Sequence, residues 1–358
     1  MHPERFVRTF AILGRFLGQF RGVSGSPDPS LKSLNDKHFD NFSVSIEQEH
    51  LHNPWFTRAY VTRALAGISR MLEKETLEKW LRAYQLREWP AEQQKEIGLI
   101  MAGNIPLVGF HDMLCVLASG HRLLARTSGK DERLPKKVVE VLADVDPGMA
   151  NRIRFTSEPV KGIDAMIATG SNNTSRYFEY YFRNIPHIIR RNRNGVAVLT
   201  GKETPSELEG LGADIFTYFG MGCRNVTKLY IPEAYDLTLL LGVLDRFVEL
   251  SRHHKYMNNV EYQRTIFLMN RMPFLDNGFL LVREDRAIAG PIGVVFFERY
   301  ADLEWVREQL AERSKEIQCC ISTISGIRGA IPPGSSQDPM PWEYADGVDT
   351  LRFLTELN

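Results

Sequence analysis

The sequence predicts an α/β protein built on parallel sheets with crossover helices. Three observations carry this. From residue 97 onward, short apolar runs (97–101, 122–126, 153–155, 165–168) alternate with helical patterns (108–119, 135–142, 175–182). Alternation of this kind means strand–helix–strand crossovers, which join parallel strands. Small polar turns containing Asn104, Ser128 and Gly170 follow three of the strands, where ligands of such sheets bind. The composition is that of a folded soluble protein, 43% hydrophobic and 25% charged over 358 residues, enough for about two domains.

Taken in order, the first 21 residues carry Arg5, Arg8, Arg15 and Arg21 among Phe6, Phe10, Leu13, Leu17 and Phe20 at helical spacing. Arginines interrupt the apolar core that a secretory signal needs. A helix packed on its own protein or on a second subunit is expected, with a basic helix on a membrane surface as the alternative. Residues 22–55 read as irregular, because Gly22, Gly25, Pro27 and Pro29 break helices. Helices follow to about Met71 and over 73–83, with Leu77, Trp80 and Leu81 on one core face.

Beyond the first strand–helix set, Arg190-Arg191-Asn192-Arg193 reads as a solvated loop before a strand over 196–199; docking of a phosphorylated ligand is the alternative. A helix over 206–218 leads to Cys223 and a strand-like run over 228–231. Helices over 237–256 and 260–270 come next, and His253-His254 falls on the former. Adjacent histidines face different sides of a helix, so no shared metal is expected. Residues 290–297 form a turn into a buried strand, 303–310 a helix and 317–324 a strand, and a short helix ends the chain.

Lys+Arg and Asp+Glu both total 44, which argues against a large nucleic-acid surface while leaving room for a local anion pocket. No apolar run approaches the roughly 20 residues of a membrane span, so no transmembrane segment is expected. The cysteines Cys115, Cys223, Cys319 and Cys320 form no CxxC, so neither a zinc site nor a disulfide scaffold is expected and a reducing cytoplasm is the simple setting. Cys115, Cys319 and Cys320 sit among apolar neighbours and read as core. By elimination Cys223 is the exposed thiol. It follows Gly222, too small to shield it, and precedes Arg224, a cation that favours a thiolate. The Thr169-Gly170-Ser171 turn suits a phosphate through open backbone N–H groups; a plain helix cap by Ser171 or Asn172 is the competing reading.

The order of these pieces resembles the aldehyde dehydrogenase superfamily, and most closely its LuxC-type acyl-CoA reductase branch, from about residue 97 to the end. Gly103-Asn104-Ile105-Pro106-Leu107 resembles the family's N-x-P-L turn. The segment 120–128 resembles the strand and loop that hold the cofactor's adenosine ribose, with Arg126 at the usual lysine. Thr169-Gly170-Ser171 matches the T-G-S turn, 220–230 resembles G-Q-x-C followed by a K/R-L-Y strand, and Ile288-Ala289-Gly290-Pro291 resembles the I-F-G-P turn. The resemblance implies an aldehyde-dehydrogenase-like fold, a Rossmann-type cofactor domain plus an α/β catalytic domain. Its implied boundaries are an N-terminal extension over 1–96 packed on the cofactor domain, a cofactor domain over 97–195 to which 326–358 returns, and a catalytic domain over 196–325.

The resemblance also implies a chemistry. Cys223 would be the catalytic nucleophile and Asn104 the oxyanion donor, with Arg126, Ser128, Lys130, Thr169, Gly170 and Ser171 at the cofactor. Val198 stands where dehydrogenases carry the glutamate that activates water, which suits a thioester partner of coenzyme A. Ala287 replaces a ribose-binding glutamate, and Met221 replaces glutamine. The loop Thr127-Ser128-Gly129-Lys130 lacks the acid that would bind a ribose 2′-hydroxyl, which favours NADPH over NADH. The expected reaction is NADPH-dependent reduction of a fatty acyl thioester, on coenzyme A or a carrier protein, to an aldehyde. Reduction of a short acyl-CoA or acyl phosphate, and a nucleotide-binding relative without turnover, are the alternatives. No bridging hairpin of the family remains, so homo-oligomerisation stays open.

Overall fold

The computed structural model describes residues 3–22, 26–86 and 89–357, with Asn172 described by its backbone alone. Gly25, read above as a helix breaker, and the Asn172 side chain, a candidate cap, lie outside the described residues. Two compact units make up the chain: Met1–Arg191 with Pro339–Asn358, and Asn192–Asp338.

The first unit opens on α1 (Pro3–Gly18), which buries Phe6, Phe10, Leu13 and Leu17. Next comes α2 (Lys32–His52), where the sequence reads as irregular. The stretch hides its period because it buries only a narrow stripe, Phe42, Ser45, Ile46 and Glu49, half of it polar. α3 (Arg58–Met71) and α4 (Lys74–Leu81) complete this layer, and α1 packs on both.

The sheet of this unit is built from β1 (Glu96–Ile100), α5 (Phe110–Ser119), β2 (Arg122–Arg126), α6 (Arg133–Val145), the single turn α7 (Pro147–Ala150), β3 (Ile153–Phe155), β4 (Ala165–Thr169), α8 (Asn172–Phe182) and β5 (His187–Arg190). Its order is β3-β2-β1-β4-β5, every pair parallel. β1 and β4 are almost wholly buried, as strands covered on both faces must be, which is why they read as unbroken apolar runs. The arginine cluster is corrected at Arg190, which ends β5 and is buried. Its guanidinium pairs with Asp112 on α5 and donates to Thr350 Oγ1 at 2.8 Å. A partner 78 residues away in the chain, not the local run of charge, decides its burial.

The second unit holds β6 (Asn194–Val198), α9 (Pro205–Phe216), β7 (Val226–Pro232), α10 (Leu237–Leu244), α11 (His254–Met269), β8 (Leu275–Asp276), β9 (Leu281–Glu284), β10 (Val294–Tyr300), α12 (Leu303–Glu312), β11 (Ile317–Ile321) and β12 (Ala330–Ile331). The strands run in the order β12-β11-β6-β7-β10-β9-β8, parallel except for β8 against β9. The helix expected over 237–256 is broken. After α10 the chain turns through a 3-10 stretch (Asp245–Arg252), and His253 leaves helical geometry to cap α11, its Nδ1 accepting the Tyr256 N–H at 3.1 Å.

Residues 326–338 stay in this unit because β12 pairs with β11, so the return to the first unit starts at Pro339 rather than at 326. There α13 (Thr350–Thr355) packs on α5. Cys320 is buried, whereas Cys319 is only half-buried, a correction to its reading as core. Among the described residues no helix is long and apolar enough to cross a membrane.

Candidate active site

Asn104 and the candidate cofactor residues belong to the first unit, Cys223 to the second. In the first, the strand order reverses between β1 and β4: β2 and β3 lie to one side, β5 to the other. Such a switch point opens a crevice beyond the strand ends, where dinucleotides bind in doubly wound sheets. The Asn104 turn leaves β1 there and Thr169-Gly170-Ser171 leaves β4. Asn104 and Ser171 are exposed, and Thr169 and Gly170 half-buried. Ser171 caps α8, its hydroxyl accepting the Thr174 N–H at 3.2 Å, and the Gly170 N–H donates to the Arg190 carbonyl at 3.2 Å.

Arg126, exposed, ends β2, and the loop after it carries exposed Lys130 and half-buried Ser128. Of the two acids that follow, Glu132 is exposed and pairs with Lys136 at 2.5 Å, whereas Asp131 is buried and turned inward: a carboxylate oxygen accepts the Leu107 N–H at 2.7 Å. Residues 127–130 themselves carry two hydroxyls and a lysine and no carboxylate.

Asp131 also ties this loop to the Asn104 turn. Leu107 has a φ of 57°, a conformation that costs a side-chain-bearing residue about 1–2 kcal/mol and explains why α5 starts no earlier than Phe110. The Asp131 N–H donates to the Ser128 carbonyl at 3.0 Å. Gly103 packs so tightly on the loop that a Cβ there would lie 2.4 Å from Ser128 Cβ. Burial pushes the Asp131 carboxyl up to about 7, and the nearby charge of Glu49 adds to the rise. Neither residue stood out in the sequence; a lone Asp three residues after a Ser carries no signal of the strained N–H it will meet.

In the second unit the chain leaves α9 through Tyr218 and Phe219, with φ of 55° and 57°, and Gly220 at 73°. The Met221 N–H closes this turn on the Tyr218 carbonyl at 3.1 Å. A second turn follows at once, Gly222-Cys223-Arg224-Asn225, closed by the Asn225 N–H on the Gly222 carbonyl at 3.2 Å. Cys223 sits at its tip and is the exposed cysteine.

Asn225 is fully buried beneath it. Its Oδ1 accepts the Gly222 N–H at 2.7 Å, and its Nδ2 donates to the carbonyls of Thr217 at 2.7 Å, Asp214 at 3.2 Å and Ile215 at 3.3 Å. Arg224 does not simply flank the thiol, as the sequence suggests. Its Nε donates to the Ser336 carbonyl at 2.5 Å, and the Asp214 carboxylate holds the N–H groups of Gly334 and Ser336. Cys319 lies below the same turn and donates to the Arg224 carbonyl at 3.5 Å.

The strands beneath the turn are polar in an unusual place. Lys228 on β7 is completely buried, its ammonium 2.6 Å from Glu298 on β10 and donating to the Asp285 carbonyl; burial lowers its pKa. Together with Thr227, which donates to the Ile288 carbonyl at 2.7 Å, it fixes the 285–290 loop, where Ala287 is exposed. Val198 is buried in an apolar cluster with Tyr230, Val306 and Cys320, so the position holds no acid and could not take one without a burial cost. Among the described residues no group of acidic, histidine or cysteine side chains is placed to hold a metal ion.

Comparison with solved structures decides the fold. An NAD-dependent aldehyde dehydrogenase from Sinorhizobium meliloti superposes with a TM-score of 0.63 at 10% identity, over 91% of this chain and 72% of that one. The chain has the aldehyde dehydrogenase fold. A Mycobacterium tuberculosis aldehyde dehydrogenase complexed with NAD+ matches at 0.60 and 13%, over 86% and 71%. The NAD+ complex of an aldehyde dehydrogenase from Bacillus cereus matches at 0.58 and 12%, over 86% and 69%. No family model and no curated relative matches the sequence. In this aldehyde dehydrogenase fold, the first unit carries the switch-point sheet and the second carries the exposed cysteine.

Proposed function

We propose that this protein reduces a fatty acyl thioester to an aldehyde at the expense of NADPH. The observation that carries the reading is Cys223, exposed at the tip of a fully braced turn, in a fold shared with aldehyde dehydrogenases. Cys223 attacks the thioester carbonyl, the carbon–sulfur bond to coenzyme A breaks, and the acyl group stays on the protein. The Asn104 amide and the Cys223 backbone N–H stabilise the oxyanion of that step. Buried Val198 supports an acyl-enzyme that is not hydrolysed, because no carboxylate stands there to activate water. Arg126, Ser128 and Lys130 hold the adenosine ribose with its 2′-phosphate, and the 169–171 turn receives the pyrophosphate at the start of α8. When bound, the dinucleotide supplies the hydride that the reduction requires.

The test is NADPH oxidation over a series of acyl-CoA chain lengths, with wild type beside Asn104→Ala. The expected result is turnover on long chains by wild type and a loss of about 10²–10³ in rate in the variant. Equal rates would remove the oxyanion role, and no NADPH oxidation on any thioester would remove the reaction.

A further inference from the structure

The turn that carries Cys223 is expensive to hold. Two side-chain-bearing residues in a row, Tyr218 and Phe219, take left-handed geometry before Gly220. Each costs about 1–2 kcal/mol, so the chain would not rest in this conformation without a counterweight. One side chain provides it. The carboxamide of Asn225 spreads its two protons over the carbonyls of Asp214, Ile215 and Thr217, the last turn of α9 and the residue after it. Its oxygen takes the Gly222 N–H, immediately before the cysteine. Three carbonyls face the nitrogen and one N–H faces the oxygen, so the orientation of the amide is fixed by its partners.

We infer that Asn225 is the positioning residue of the nucleophile: it locks the end of α9 to the Gly222–Cys223 peptide and so sets where the thiol and the adjacent backbone N–H point. No other side chain type of that size fits. An aspartate would keep the Gly222 bond but would face three carbonyl oxygens without a donor, and an alanine would take this partner from all four groups at a wholly buried position. Asn225 itself, wholly buried, does not touch substrate. This inference rests on Cys223 being the acyl acceptor, and the experiment separates the two.

Wild type, Asn225→Ala and Asn225→Asp are compared by amide exchange and by single-turnover acylation with a long-chain acyl-CoA, the rate expressed per folded molecule. In the alanine variant exchange rises over 217–225 while β7 stays protected, and acylation slows about 100-fold, the usual effect of displacing a reacting group by about 1 Å. The aspartate variant, which keeps the Gly222 bond, falls between. A folded alanine variant that is acylated within twofold of wild type, or that keeps protection over 217–225, overturns the inference. Should the alanine variant not fold, unchanged acylation and exchange in the aspartate variant overturn it. Wild type that accepts no acyl group sinks the thioester reading instead, and the exchange comparison alone then decides the role of Asn225. A merely structural role lowers protection across the whole second unit and leaves the acylation rate per folded molecule unmoved.

Discussion

In the first unit, the left-handed Leu107 is held by one carboxylate oxygen of Asp131; in the second, the left-handed run ending at Gly220 is braced by the carboxamide of Asn225. Both turns carry a residue that the proposed reaction uses, and both holding side chains are buried. Their chemistry differs. The amide is neutral and uses donor and acceptor faces together. The carboxylate can only accept, and its other oxygen has no hydrogen-bond partner among the described residues. Burial near Glu49, itself raised by burial, then favours the protonated acid. A brace made of an acid costs stability when it ionises, and a brace made of an amide does not.

The largest expected effect separates the two on this ground. Between about pH 4 and pH 7 native Asp131 keeps a proton that the unfolded chain has released, so stability falls as pH rises through that window. The full difference is worth up to about 4 kcal/mol. Asp131→Asn retains an acceptor for the Leu107 N–H and removes the titration. Urea unfolding at pH 5 and pH 8 is expected to show a flatter pH dependence in the variant, with the gain over wild type at the alkaline end. Identical slopes would mean that Asp131 does not titrate as a buried acid.

A smaller effect sharpens the other side. Gly220 has a φ of 73°, and a Cβ there would lie 3.3 Å from the Ile215 carbonyl oxygen. Gly220→Ala is expected to cost about 1–2 kcal/mol, equally at pH 5 and pH 8, because nothing in that brace titrates. A loss confined to one pH would contradict the contrast between the turns.

What the sequence made legible follows the same division between local and distant causes. β1 and β4 are visible as apolar runs between breakers because both of their faces are covered. Likewise the exposure of Cys223 follows from its small neighbour and the apolar company of the other cysteines, though Cys319 sits nearer the surface than that company suggests. Distant causes stay hidden. α2 is polar along most of its length, so no periodicity announces it. β9 ends in Arg283-Glu284 and does not read as a strand, yet it pairs along β10. Arg190 looks solvated until Asp112 is brought to it. Asp131 and Asn225 carry no signature at all, because each is defined by backbone groups whose positions only the tertiary fold supplies.

The central claim, that Cys223 accepts an acyl group from a thioester, is tested most directly by intact mass. Wild type and Cys223→Ala are incubated with a long-chain acyl-CoA without NADPH, and the protein mass is read before and after hydroxylamine. The account predicts one acyl adduct on wild type, released by hydroxylamine as a thioester must be, and none on the variant. An adduct that persists in Cys223→Ala would contradict it.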